Sequence, residues 1–146
     1  MSEEQIISNM RKFRDAVESR DVEKTLAFFT DDAEWQTPEG TFKGKEQLKR
    51  YISWNMKMSP EFKMVDSGIN IVVKGNIGIY EHIISGTVEG SKWATPALCI
   101  YELADDKIKG IRTVYDRLAI AKQVSKGTIA KMSVNGIIKN MEKGLH

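Results

Sequence analysis

The chain has 146 residues, enough for one domain with a sizeable core, and 29% of them are charged. A formal net charge of +2, with basic residues scattered among acidic ones, offers no footprint for nucleic acid or an anionic membrane. No run of about 18 apolar residues occurs, and the acidic start MSEEQIISNM is unlike a signal sequence. The single Cys99 leaves no internal disulfide or cysteine-based metal site, so a reducing cytoplasm is expected. No Walker loop, dinucleotide fingerprint, HExxH or GxSxG is found, and neither cofactor nor metal is expected.

In chain order, Ser2 followed by Glu3, Glu4 and Gln5 reads as a capped helix start. Ile6, Ile7, Met10, Phe13 and Val17 then recur at helical spacing, predicting a helix to about Ser19. A break at Arg20–Asp21 precedes a short second helix packing Val22, Leu26 and Phe29. AEWQTPEGTFKG reads as a strand, a turn at Pro38–Gly40 and a short return. A third helix follows and ends at Pro60. From Phe62 to Arg117 the pattern is strand, broken at Ser67–Gly68, Lys74–Asn76, Glu89–Ser91 and Asp105–Lys107. Residues 118–146 are helical in pattern, with Ile129, Met132, Ile137 and Met141 roughly on one face. Helices followed by an antiparallel meander make an α+β fold.

Two strands are apolar on both parities. Ile77, Ile79 and Ile83 oppose Tyr80, His82 and Ile84; Trp93, Ala97, Cys99 and Tyr101 oppose Ala94, Leu98 and Ile100. A sheet with one wet face should alternate apolar and polar residues. Helices cover only one face, so a second subunit is expected over the other. This predicts a homodimer through Leu98, Ile100, Val114 and Ile79.

The stretches SRDVEKTLAFFTDDAEWQTPEGTFKGKEQLKRYI and YELADDKIKGIRTVYDRL resemble the nuclear transport factor 2-like superfamily, especially its SnoaL-like, polyketide cyclase-like branch. The matching residues are Arg20, Asp21, Phe29, Asp32, Trp35, Gly44, Lys107, Ile108, Arg112 and Asp116. The resemblance implies a cone: a curved, antiparallel-rich sheet wrapped around three N-terminal helices and an apolar pocket, often in a dimer. Residues 1–122 would form this domain and 123–146 an added C-terminal helical extension. The same scaffold serves cyclases, isomerases, epoxide hydrolases and plain binding proteins.

By strand parity, Trp35 and Thr37 share a side, and Tyr51 and Asn55 lie on the third helix's apolar stripe. A three-residue turn at Asp105–Lys107 sets Tyr101 opposite Ile111, Cys99 opposite Thr113 and Ala97 opposite Tyr115, all facing inward. A lone histidine in an apolar strand is ordinarily a hydrogen-bonded core residue. The resemblance instead puts Tyr80, His82 and Ile84 on the pocket wall. Both carboxylates of the epoxide-hydrolase pattern are absent, since His82, Ile84, Thr113, Trp35 and Thr37 occupy the aligned positions. No inward carboxylate of the ketosteroid isomerase kind is found either.

The expected function is therefore binding of a small hydrophobic molecule. Its possible chemistry is that of a cyclase or isomerase, with His82 moving a proton next to a carbonyl and Tyr80, Tyr115 or Tyr51 bonding the enolate. Tyr80, Tyr115, Tyr51 or Asn55 should then lie within hydrogen-bonding reach of the imidazole. A non-catalytic binding or protein-interaction module is the alternative. Arg112 and Asp116 point outward by parity, and Cys99 reads as a small core filler.

Overall fold

A computed structural model describes residues 1–145. Its elements are α1 (Glu3–Glu18), α2 (Val22–Leu26), β1 (Phe29–Thr37), β2 (Gly40–Lys43), α3 (Gly44–Met58), β3 (Lys63–Lys74), β4 (Ile77–Val88), β5 (Ser91–Ala104), β6 (Lys107–Tyr115), α4 (Arg117–Val124) and α5 (Thr128–Met141). The fold is α+β: a curved, unclosed sheet in the order β2-β1-β6-β5-β4-β3, with helices against one face. All neighbours are antiparallel except β1 and β6, which run parallel.

Local chemistry explains the boundaries. Ser2 accepts from the Gln5 N–H while the Gln5 side chain accepts from the Ser2 N–H, a complete capping box for α1. Asp21 accepts from the Lys24 N–H to cap α2, and Asp116 accepts from Ala119 to cap α4. Pro60 follows the end of α3. Phe29, expected to pack from the second helix, instead opens β1.

The break expected at Ser67–Gly68 does not end a strand. The register shifts between Asp66 and Ile71 inside β3, with Gly68 at φ +55° and Asn70 at φ +60°. Glu81, on the outward parity of β4, explains the bulge. Its carboxylate accepts from the Ile69 N–H at 2.9 Å and occupies the space a Gly68 Cβ would need.

The turn at Asp105–Asp106 pairs Ala97 with Tyr115, Cys99 with Thr113 and Tyr101 with Ile111. Inward residues of β4 and β5 are buried in strict alternation. With Ile6, Met10 and Phe13 of α1 and Leu48 and Ile52 of α3 they form one core. Phe13 stands at its centre, edge-on to Phe29 and Tyr101. On the other face Val114 is 59% exposed and Ile79, Leu98 and Ile100 are half-buried. α5 packs against α4, and its Ile129, Met132, Ile137 and Met141 are exposed. No helix among the described residues is long and apolar enough to cross a membrane.

Candidate functional site

A cavity of about 320 Å³ opens between α1, α3, α4 and the inward faces of β4, β5 and β6. His82, Tyr115, Trp35, Tyr51, Asn55, Ile84, Cys99, Tyr101 and Thr113 border it. Tyr80, Thr37, Ala97 and Ile111 do not, although all four have the expected parity.

The four departures have physical reasons. Ala97 and Ile111 are buried at 4% and 1% exposure inside the core. Thr37 is used by the β1–β2 turn, donating to the Gly40 carbonyl and accepting from the Glu39 N–H. Tyr80 passes under the imidazole of His82 (ring centroids 4.1 Å apart, planes at 15°) and sends its hydroxyl away from the cavity. That hydroxyl donates to Asp66 Oδ1 at 2.7 Å. Asp66 is also held by Arg11 at 3.1 Å, Arg14 at 3.3 Å and Asn70 at 3.1 Å. Burial and the neighbouring carboxylate push the Tyr80 phenol up to about 12. Tyr80 thus supports His82 from behind and does not face a ligand.

His82 is 1% exposed. Its Nδ1 lies 3.2 Å from the Tyr80 carbonyl, which can only accept, so Nδ1 carries the proton. Nε2 is then the acceptor of a neutral ring, and it has no protein partner. Burial lowers the imidazole pKa, opposed by the Tyr80 carbonyl and by Asp66. None of Tyr80, Tyr115, Tyr51 or Asn55 bonds the ring through its side chain, contrary to expectation. His82, Ala97 and Tyr115 form one cross-strand row.

The other correction is a carboxylate. Glu39, in the turn between β1 and β2, lines the cavity. Its Oε1 accepts a short hydrogen bond from the Tyr115 hydroxyl and lies 3.7 Å from Arg117 Nε, while its Oε2 is buried with no partner. Burial first, then Glu39, raises the pKa values of both Tyr115 and Tyr51. Strand parity says nothing about turn residues; the available signal was an acid between Pro38 and Gly40 in a tight return.

Elsewhere the wall is settled chemistry. Trp35 Nε1 donates to Thr113 Oγ1 at 2.9 Å, and that hydroxyl shares a hydrogen 3.3 Å from Cys99 Sγ. Burial pushes the Cys99 thiol up to about 11, which makes it a poor nucleophile. The remaining lining is largely apolar, including Phe13, Val17, Phe62, Met64 and Ile120. Arg112 is exposed. Lys107 ties β6 to the Ala27 carbonyl, and Arg20 ties α3's end to the preceding turn through the Asn55 and Ser59 carbonyls. Among the described residues, no group of three or more His, Cys, Asp or Glu is gathered as a metal site.

A family model described as a SnoaL-like domain matches residues 10–111. No curated protein matches the chain. Similar solved structures include a protein described as a SnoaL-like polyketide cyclase from Jannaschia sp. CCS1 (TM-score 0.76, 16% identity, 88% of this chain and 98% of that one). Another is a ketosteroid isomerase-like fold from Catenulispora acidiphila DSM 44928, solved with trimethylamine (0.73, 15%, 79% and 90%). A third is TerC, co-crystallised with polyporic acid (0.73, 16%, 84% and 99%). At these identities the structures share the fold, and the matched stretch spans most of the chain. The chain belongs to the SnoaL-like domain family, within the nuclear transport factor 2-like superfamily.

Proposed function

We propose that the cavity binds a small, mostly apolar carbonyl compound and that His82 moves a proton on it. One observation carries this reading. A buried imidazole is fixed in one tautomer by a backbone carbonyl, and its other nitrogen is left unpartnered on an apolar cavity wall. Such a nitrogen is a base already aimed and desolvated. It takes a proton from carbon conjugated to the carbonyl, and the C–H electron pair moves onto the carbonyl oxygen. Returning the proton to another carbon of the conjugated system gives an isomer. Attack of the enolate carbon on a second carbonyl closes a ring, and the alkoxide so formed takes the proton back from His82. Cyclases and isomerases of this family, and the similar fold described as a polyketide cyclase, support this class of chemistry.

The test uses 3-phenylcyclohex-2-enone in deuterated buffer, followed by proton NMR. The wild type should exchange the ring methylenes next to and γ to the carbonyl faster than buffer does. His82→Gln should bind the enone and lose the exchange. Binding without exchange by the wild type would overturn proton transfer and leave a binding module.

We also infer that the outer sheet face joins two copies of the chain. Val114, 59% exposed, with Ile79, Leu98, Ile100 and Val72 makes an apolar strip that favours a covered state. Light scattering at micromolar concentration tests this, and a monomeric mass would refute it.

A further inference from the structure

We propose that Ser59 Oγ and Trp93 Nε1 form the subsite that holds the ligand's carbonyl oxygen and the negative charge that develops there. This rests on the proton-transfer reading for its chemistry but not for its binding. An enolate needs hydrogen-bond donors in place, and two tyrosines that line or adjoin the cavity have none to spare. The Tyr115 hydroxyl donates to Glu39 and the Tyr80 hydroxyl to Asp66.

Two donors on the cavity wall are uncommitted. Ser59 and Trp93 are only 5% and 8% exposed, both border the cavity, and neither Ser59 Oγ nor Trp93 Nε1 has a protein partner. Buried donors without partners cost stability, so their presence at one spot calls for a reason. They sit together. Trp93 pairs with Gly86 across β4 and β5, and a Cβ on Gly86 would meet Ser59 Oγ at 2.1 Å and Trp93 Cζ2 at 3.0 Å. Only glycine leaves that approach open.

The positions are also held from behind. The Ser59 N–H donates to the Asn55 carbonyl at 3.0 Å, and the Ser59 carbonyl accepts from Arg20 Nη2 at 2.6 Å. Arg20 lies over the Phe62 ring, with its centre 5.7 Å from the ring centroid, and its Nε and Nη1 are buried without partners. A cation short of partners, one residue's backbone away, favours negative charge at the subsite. His82 and Gly86 share the inward side of β4 with Ile84 between them. A ligand whose oxygen rests on Ser59 and Trp93 must run along β4 past Ile84 to present its conjugated carbons to Nε2.

The experiment reads the carbonyl itself. 3-Phenylcyclohex-2-enone with a 13C-labelled carbonyl is bound to the full chain, and its C=O stretch is recorded by infrared difference spectroscopy. The stretch should fall on binding to wild type and to His82→Gln. It should return toward its value in apolar solvent in Ser59→Ala and in Trp93→Phe. Exchange of the enone protons should drop in each on the order of 10²-fold. Without ligand, Ser59→Ala should melt no lower than wild type, because it removes an unpaired buried group. If Trp93→Phe does not fold, Ser59→Ala decides. An unshifted stretch in the wild type, a shift abolished by Tyr115→Phe but not by Ser59→Ala, or failure of the enone to bind would overturn the subsite. Exchange that needs His82 but ignores Ser59 and Trp93 sinks the subsite alone. A Ser59-dependent shift without any exchange upholds the subsite and sinks proton transfer.

Discussion

Deleting one phenolic oxygen at two places in this protein should have unequal effects. In Tyr80→Phe, Asp66 loses its 2.7 Å donor but keeps Arg11, Arg14 and Asn70, and its side chain is 36% exposed. Water and three remaining donors cover the loss, so the variant should be destabilised by about 1 kcal/mol or less. In Tyr115→Phe, Glu39 loses the hydroxyl on Oε1. What remains is Arg117 at 3.7 Å, on a side chain 14% exposed whose Oε2 is already unpartnered. A carboxylate left this bare should cost about 2–3 kcal/mol. In a domain of this size that is a fall in Tm of roughly 4–10 °C. Urea unfolding of both variants, compared at a common m-value, measures the difference directly. Adding Glu39→Gln to Tyr115→Phe should recover part of the loss, because the buried charge is gone. Equal effects in the two single variants, or a larger effect at Tyr80, would show that Glu39 is solvated and not a buried member of the cavity wall.

His82 has a lowered folded-state pKa, so the unfolded chain binds its proton first as pH falls. Wild-type stability should be complete above the ordinary histidine value of about 6.5 and decline as pH drops below it, and His82→Gln should flatten that part of a Tm–pH curve. Gly78→Ala would put a Cβ 2.3 Å from the sulfur of buried Met10 and should cost about 1–3 kcal/mol in denaturant titration. Gly136→Ala in α5, where a Cβ meets nothing within 4 Å, should instead stabilise by about 0.5–1 kcal/mol. Cys99 should react slowly with a thiol reagent in the native state, because burial keeps the thiol protonated. Val114→Glu should leave Tm nearly unchanged in dilute protein while halving the scattering mass, if the outer face joins two copies.

Alternating burial was legible wherever the chain alternates. The family resemblance put His82 and Ile84 on the pocket wall, parity put Cys99 and Thr113 inward, and the short turn at Asp105 was enough to align Cys99 with Thr113 and Ala97 with Tyr115. Three things lay beyond parity. Glu39 occupies a turn, where side-chain direction depends on φ and ψ and not on counting. Tyr80 has inward parity, but the β3 bulge brings Asp66 within reach of its hydroxyl and draws it away from the cavity. Ser59 is the C-cap of α3, beyond the helical stripe that marked Tyr51 and Asn55. The family motif was legible too, yet its polar residues serve architecture: Asp21 and Asp116 are caps, and Arg20 ties α3's end to the turn.

The wall contributed by α4 is lightly held. Ile120, Ala121 and Val124 border the cavity, yet none of the helix's residues is buried. It is fastened to β5 by Gln123, which bonds both the N–H and the carbonyl of Ala94 at 3.0 and 2.9 Å. A segment with so little buried area opens at a fraction of the free energy of global unfolding. Traffic to the sealed Nε2 of His82 would then run through excursions of eight residues near the C-terminus while the sheet stays intact. Amide protons of α4 should exchange quickly in the free protein and slow on ligand saturation. Gln123→Ala, far from every reacting atom, should raise association and dissociation rates together and leave the equilibrium constant nearly where it was.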